Sequence, residues 1–237
     1  MKLNKRLLAL SEMVIEPYQL VWDCCCDHGL LGFKILSDGL IKQVNFVDVV
    51  PQIINQLEQK LTTYAHHLPA DSGWKTLCLD VALLPLLEGQ HTNRGKLQQL
   101  VIISGIGGEL MIDILTHLMT RFAGINIDFL LCPVHHTYKL RSTLIKLNFK
   151  LKKEQLVIEN KRGYELMLVN QVAGKKISLT GDDLWLPQKK HQQYLSKLIT
   201  HYQRIGGVSD QADLLNHCAL HDYQYLYRQH YLDLISE

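Results

Sequence analysis

The feature that leaves this chain least freedom is a repeated unit: a short apolar run, a turn, then apolar residues at helical spacing. It occurs first at residues 20–36, where LVWDC passes through CCDHG into LLGFKIL. It returns after VNFVDVV, where Pro51 suits the first turn of a helix that carries Ile53, Ile54, Leu57 and Leu61 on one face. Residues 74–79 predict a third strand. Residues 100–104 predict a fourth, followed by the glycine turn 105–108 and a helix through Met111, Ile114, Leu115 and Leu118. A fifth strand over 127–132 leads to a helix over 138–147. Residues 149–158 and 164–172 are both extended and are separated by ENKRG, the pattern of an antiparallel hairpin. Alternation first and a hairpin last predicts an α/β, Rossmann-like sheet, mostly parallel, with one antiparallel edge strand.

Beyond residue 173 the strands stop. Leu195, Leu198, Tyr202 and Ile205 form one helical stripe, Gly206 and Gly207 interrupt it, and Leu215, Ala219, Tyr223, Leu226 and His230 form a second. The expected organisation is therefore an α/β domain over 1–172 and a C-terminal helical hairpin, or short coiled coil, over 173–237. A chain of 237 residues is long enough for both. The opening MKLNKRLLALSEMVIEPYQ is basic and then apolar, but Ser11 and Glu12 break it and it lacks a small-residue cleavage site, so an amphipathic helix is expected. No run approaches the roughly 18 apolar residues of a membrane span, and a cytoplasmic protein is expected. Three of the six cysteines are consecutive, Cys24, Cys25 and Cys26, which is no spaced disulfide framework, so reduced thiols are expected. Adjacent strand residues point to opposite faces, so these thiols do not converge on one tetrahedral ion, and no metal is expected.

In an open parallel sheet, ligands bind beyond the carboxyl ends of the strands, where strand order reverses. The first such exit here changes an acidic-x-Gly-x-Gly-x-Gly pattern to Asp23, Cys25, Asp27 and Gly29. By topology a nucleotide-binding dehydrogenase would fit as well as a class I methyltransferase. A dinucleotide brings a pyrophosphate, which Asp27 would repel. S-adenosylmethionine brings a sulfonium and an ammonium group, which Asp23 and Asp27 suit. Asp48, roughly 20 positions beyond the turn, can accept hydrogen bonds from ribose hydroxyls. Asp80, after the third strand, is placed for the adenine amino group. An aspartate at a strand end is by itself more often a helix cap or a solvated turn, so the set carries the inference.

Together DHGLLG, SGIGG and KRGYE resemble the bacterial tRNA (adenine(22)-N1)-methyltransferase family, over most of the chain, including a basic opening helix around Lys5, Arg6 and Leu7 and the helical tail. The resemblance implies a class I, S-adenosylmethionine-dependent enzyme whose tail helps to grip tRNA. By position it implies that Asp23, Gly29 and Asp48 hold the cofactor, with Cys25 and His28 in the same turn, Ser104 and Gly105 at the fourth-strand exit, and Asp80 near the adenine. It puts Gly105, Gly107 and Gly108 on the floor between cofactor and target base, and Asp27 at the reaction centre as the catalytic residue. This chain departs from the family's glycine at Cys25, and from Gln-Pro-Asn at Cys132-Pro133-Val134, where His135 or His136 would stand in for the asparagine at the base's polar edge.

Methyl transfer to adenine N1 is an in-line displacement in which the protein supplies alignment, and Asp27 would stabilise the charge developing on the base or take its amino proton. The base must leave its stack, with Tyr164 and Tyr138 as candidate platforms. The net charge of +2 does not announce a polyanion, but residues 139–162 hold eight basic and two acidic side chains. The expected substrate-binding set is Lys5, Arg6, Gly107, Gly108, Pro133, His135, Arg141, Lys161 and Tyr164, with Lys2 adding to the N-terminal patch and tRNA as the partner. Two other readings stand beside this one: a methyltransferase for a small molecule or protein, and a non-catalytic RNA-binding or scaffold protein of the same fold.

Overall fold

The computed structural model describes residues 3–86, 98–122, 126–205 and 211–231, without the side chains of 211–213. Lys2 and the Gly206–Gly207 break in the tail lie outside the described residues. The elements run α1 (Lys5–Glu12), β1 (Leu20–Cys24), α2 (Leu30–Ser37), β2 (Gln43–Asp48), α3 (Pro51–Tyr64), β3 (Gly73–Cys78), β4 (Gln99–Ser104), α4 (Gly108–Arg121), β5 (Asp128–Cys132), α5 (Thr137–Lys146), β6 (Lys150–Glu159), β7 (Arg162–Asn170), α6 (Lys189–Ile205) and α7 (Gln211–Tyr231). The strands form one sheet in the order β3-β2-β1-β4-β5-β7-β6. The first five are mutually parallel, whereas β7 runs antiparallel to both β5 and β6. The reversed strand thus sits one place in from the edge, and β6 forms the edge itself.

Period-2 alternation divides the central strands between two cores. Val101 and Ile103 of β4 pack with Met111, Ile114, Leu115 and Leu118 of α4. Leu100 and Ile102 pack on the other face with Leu10 of α1, Leu36 of α2 and Leu57 and Leu61 of α3. Cys24, the last residue of β1, sits with Trp22 in the α4-side core, whereas Cys26, beyond the strand's end and past the left-handed Cys25, turns to the α1–α3 side. Pro51 opens α3 as its first residue. The β6–β7 hairpin closes through Asn160 and Lys161, whose φ angles of 49° and 63° are both left-handed. This is the turn geometry whose twist matches that of the flanking strands.

The tail helices pack on α5 and the hairpin. Tyr138 of α5 lies 5.8 Å from Tyr223 and 6.3 Å from Tyr202, ring centre to ring centre. Its hydroxyl donates to Asp222 at 2.7 Å. Leu184, Trp185, Leu195 and Leu226 close this third cluster. Tyr138 is 2% exposed, so it is a packing residue and not a platform for a base. Arg141 needs a larger correction. It is 0% exposed and bound to Glu154 at 2.6 Å, Glu165 at 3.0 Å and the Ser178 carbonyl at 3.1 Å. A wholly buried guanidinium committed to two carboxylates is out of reach of an RNA phosphate. It joins α5 to both strands of the hairpin instead.

Candidate active site

Strand order reverses between β1 and β4, and the turns leaving these strands frame a cleft of about 340 Å³. Its lining includes Arg6, Asp23, Cys25, Asp27, Ser104 and Gly105. Three alternate residues of the β1 exit are left-handed: Cys25 at φ 55°, Asp27 at 48° and Gly29 at 67°. These are the positions of the glycine pattern, so the turn keeps a glycine-type backbone with side chains on two of its three left-handed residues. Behind the turn a Cβ on Gly29 would sit 2.4 Å from Leu57, and one on Gly32 would sit 2.3 Å from Phe46. Glycine persists where the back of the turn is crowded.

The acidic residues meet around Cys25. Burial, then the fields of Asp48, Asp23 and Asp80, push the Cys25 thiol up to about 12, so it stays neutral. Asp23 is 3% exposed and accepts the Gly32 N–H at 2.9 Å. Burial raises its carboxyl to about 7, against the lowering effect of that hydrogen bond. Asp48 accepts from Val50 N–H at 3.1 Å through one oxygen and from Asp27 N–H at 3.4 Å through the other. A carboxylate has about four acceptor sites, so two remain for a ligand. Asp80 is exposed and caps the 3₁₀ turn Val81–Leu83 through Ala82 N–H at 2.9 Å. Gly105 has a φ of 84° and open space where a side chain would be, while His28 is exposed beside Asp27.

Arg6 lies in this cleft rather than out on a basic surface. Its Nε is buried without a hydrogen-bond partner among the described residues, and its guanidinium lies over the Tyr164 ring at 5.1 Å. Tyr164 in turn lines a second cleft of about 400 Å³, shared by Pro133, His135, Lys161, Lys197 and His201. Arg6 and Tyr164 therefore stand where the two clefts adjoin. Gly107 and Gly108 form the floor under His135. Lys5 is exposed, and its backbone N–H donates to Glu159 at 2.8 Å. A larger groove of about 640 Å³ between α2 and α3 has no carboxylate in its lining, so the opposed charges single out the smaller cleft. Sequence reading missed Arg6 as a cleft residue, left His135 and His136 as alternatives at the base's edge, and gave no place to Glu109. Local spacing carries no sign of contacts between α1 and β7 or between the exits of β4 and β5. Among the described residues no group of three or more His, Cys, Asp or Glu side chains could hold a metal ion, and no helix is long and apolar enough to cross a membrane.

This strand order, with β7 reversed and an acid-lined cleft at the β1 exit, defines the class I methyltransferase architecture. Residues 3–167 match the family described as a methyltransferase domain, and the chain belongs to that family. Solved structures with a similar fold include TrmK of M. capricolum in complex with S-adenosyl-homocysteine, at 15% identity and a TM-score of 0.72, covering 97% of this chain and 98% of that one. The B. subtilis M1A22 tRNA methyltransferase TrmK matches at 18% identity and a TM-score of 0.70, covering 96% of this chain and 98% of that one. Magnesium protoporphyrin IX methyltransferase ChlM from Synechocystis PCC 6803 matches at 15% identity and a TM-score of 0.52, covering 70% of this chain and 76% of that one. At such identities the likeness is one of fold. No curated protein sequence matches the chain.

Proposed function

We propose that the protein is an S-adenosylmethionine-dependent methyltransferase that acts on N1 of an adenine in tRNA. The observation that carries the reading is the opposed charge in one cleft: Arg6, whose buried Nε has no hydrogen-bond partner among the described residues, lines the same space as Asp23 and Asp27. That pairing fits the carboxylate and ammonium of an amino-acid end, and no pyrophosphate would tolerate the two carboxylates. The residues present therefore fit the methyl donor. Arg6 holds its carboxylate and Asp23 its ammonium. Asp48 accepts from the ribose, Asp80 from the adenine amino group, and Gly105 leaves room beside them. When bound, S-adenosylmethionine supplies a methyl group made electrophilic by its cationic sulfur. Alkylation of a ring nitrogen leaves positive charge on the base, and the Asp27 carboxylate at the cleft mouth stabilises it.

The second cleft suits an unstacked base bordered by phosphates. Tyr164 offers an aromatic face backed by Arg6, while Lys161, Arg162 and Lys197 lie around the opening. The TrmK structures that cover nearly the whole chain, tail included, support tRNA as the substrate and the adenine at position 22 as the target. We assign residues 1–172 to the catalytic domain and 173–237 to a helical extension docked on it.

Incubation with S-adenosylmethionine and unmethylated tRNA, followed by mass spectrometry of the nucleosides, should yield 1-methyladenosine. Cofactor binding without RNA methylation would shift the substrate to a protein or small molecule. No cofactor binding by calorimetry would leave a non-catalytic protein of this fold. Within the site, Asp27→Ala should lower turnover by about 100-fold or more with cofactor affinity kept, whereas Asp48→Ala should weaken cofactor binding.

A further inference from the structure

We propose that His135 holds the target base through its Nε2–H, donated to a purine ring nitrogen other than N1, and that His136 and Glu109 keep the proton on that nitrogen. This deepens the reading above and rests on it. The His135 ring lies against Gly107, where a Cβ would be 2.3 Å from Cε1 and 2.8 Å from Nε2. Only glycine allows the ring so close to the turn after β4. The turns after β4 and β5 are also joined by backbone hydrogen bonds, Gly108 N–H to His135 O and Val134 N–H to Ile106 O, both at 3.0 Å. The ring is therefore placed by two turns at once.

His136 supplies the second constraint. Its backbone is left-handed at φ 59°, a conformation that disfavours a β-carbon. Its Nδ1 lies 3.0 Å from Nδ1 of His135 and 3.6 Å from a Glu109 carboxylate oxygen. Glu109 is itself held by Lys139 Nζ at 2.6 Å. Two Nδ1 atoms at that distance share one proton, one donating and one accepting. A lone pair on His136 Nδ1 would face the carboxylate and be repelled, so the proton belongs on His136. The groups facing the pair are Glu109 of α4, Lys139 of α5 and His201 of α6; burial comes first, then the His135 field, in holding His136 below the usual imidazole range and therefore neutral.

With His136 Nδ1 donating, His135 Nδ1 accepts. A neutral His135 then carries its proton on Nε2, and a protonated one donates there too. Nε2 makes no hydrogen bond among the described residues, and His135 lines the cleft beside Tyr164. Adenine offers few acceptors to such a donor. N1 is the atom to be methylated and N6 is itself a donor, which leaves N3 and N7.

The test compares tRNA carrying adenosine, 7-deazaadenosine or 3-deazaadenosine at the methylated position. Both analogues have a more basic N1 than adenosine, so slower methylation cannot come from a weaker nucleophile. One analogue should lose about 10- to 100-fold in kcat/KM with the wild-type protein, the other less than about threefold. The sensitive analogue should show no further loss against His135→Phe. ¹⁵N spectra should show the His135 proton on Nε2, and in His136→Phe a mixture of tautomers. Equal rates on all three RNAs, a penalty unchanged in His135→Phe, or a wild-type His135 protonated only on Nδ1 would overturn the inference and leave the methyltransferase reading standing. Failure to methylate the adenosine-containing tRNA would overturn both.

Discussion

At the exit of β1, Cys25, Asp27 and Gly29 are all left-handed, and the turn opens its front to a cleft while Leu57 and Phe46 crowd it from behind. At the exit of β5 only His136 is left-handed, and space is cleared by Gly107 and Gly108 of the neighbouring turn. The first turn bears conformational strain in its own residues; the second transfers the requirement for small residues to the turn beside it. The difference teaches which glycines a binding turn needs. A positive φ costs a residue with a side chain about 1–2 kcal/mol, which a fold can absorb. A Cβ at Gly29 or Gly32 would have to displace the side chain of Leu57 or Phe46, so at the back of the turn glycine relieves packing as well as strain.

The largest test of this contrast lies behind the β5 exit. Arg141→Met removes the cation that Glu154 and Glu165 share in the buried junction of α5 with the hairpin. Urea unfolding should show a loss of about 3–5 kcal/mol; an unchanged midpoint would mean that packing alone holds the junction. A smaller loss, about 1–3 kcal/mol, is expected for Gly29→Ala, whose new methyl group meets Leu57 from a left-handed backbone. Cys25→Gly is the matching control at the front of the turn. Its stability should stay within about 1 kcal/mol of the wild type, because relief of strain and gain of chain entropy nearly cancel. A loss as great as that of Gly29→Ala would remove the distinction between front and back.

Between these in size falls a pH effect confined to the β1 exit. Burial raises the Asp23 carboxyl to about 7 in the free protein. A carboxyl raised above its unfolded value is more protonated in the folded chain, so its contribution to stability falls as pH rises from about 4 to about 7. A ligand ammonium favours the ionised form. Binding of S-adenosyl-homocysteine should therefore weaken as pH drops through 7, by at most about tenfold per unit. Asp23→Asn should flatten the profile. Calorimetry from pH 8 to 6 reads this directly, and a level wild-type profile would separate Asp23 from the ligand.

Much of this could be read in the residues. β1 and its exit, Pro51 at the start of α3, the ENKRG hairpin and the two helical stripes of the tail follow from spacing alone. Asp23, Asp48 and Asp80 also come together around Cys25, as strand ends in a parallel sheet must. The basic residues fared differently. Counting charges over 139–162 treats Arg141 and Lys161 alike, yet one is wholly buried between carboxylates and the other is exposed at the hairpin turn. The tail tyrosines likewise divide: Tyr202 and Tyr223 pack against Tyr138, while Tyr225 is exposed.

What the sequence by itself determined is the order of strands and helices and the acid-rich turn at the first exit. These depend on periodicity and on residues within a few positions of one another. Only the tertiary structure decided which charges meet a ligand. Arg6 and Tyr164 come from opposite ends of the α/β fold, and His135 reaches Gly107 across two strand exits. Whether a guanidinium is consumed by carboxylates or left open to a cleft depends on neighbours that no local pattern specifies, because burial and electrostatic pairing are properties of the packed whole.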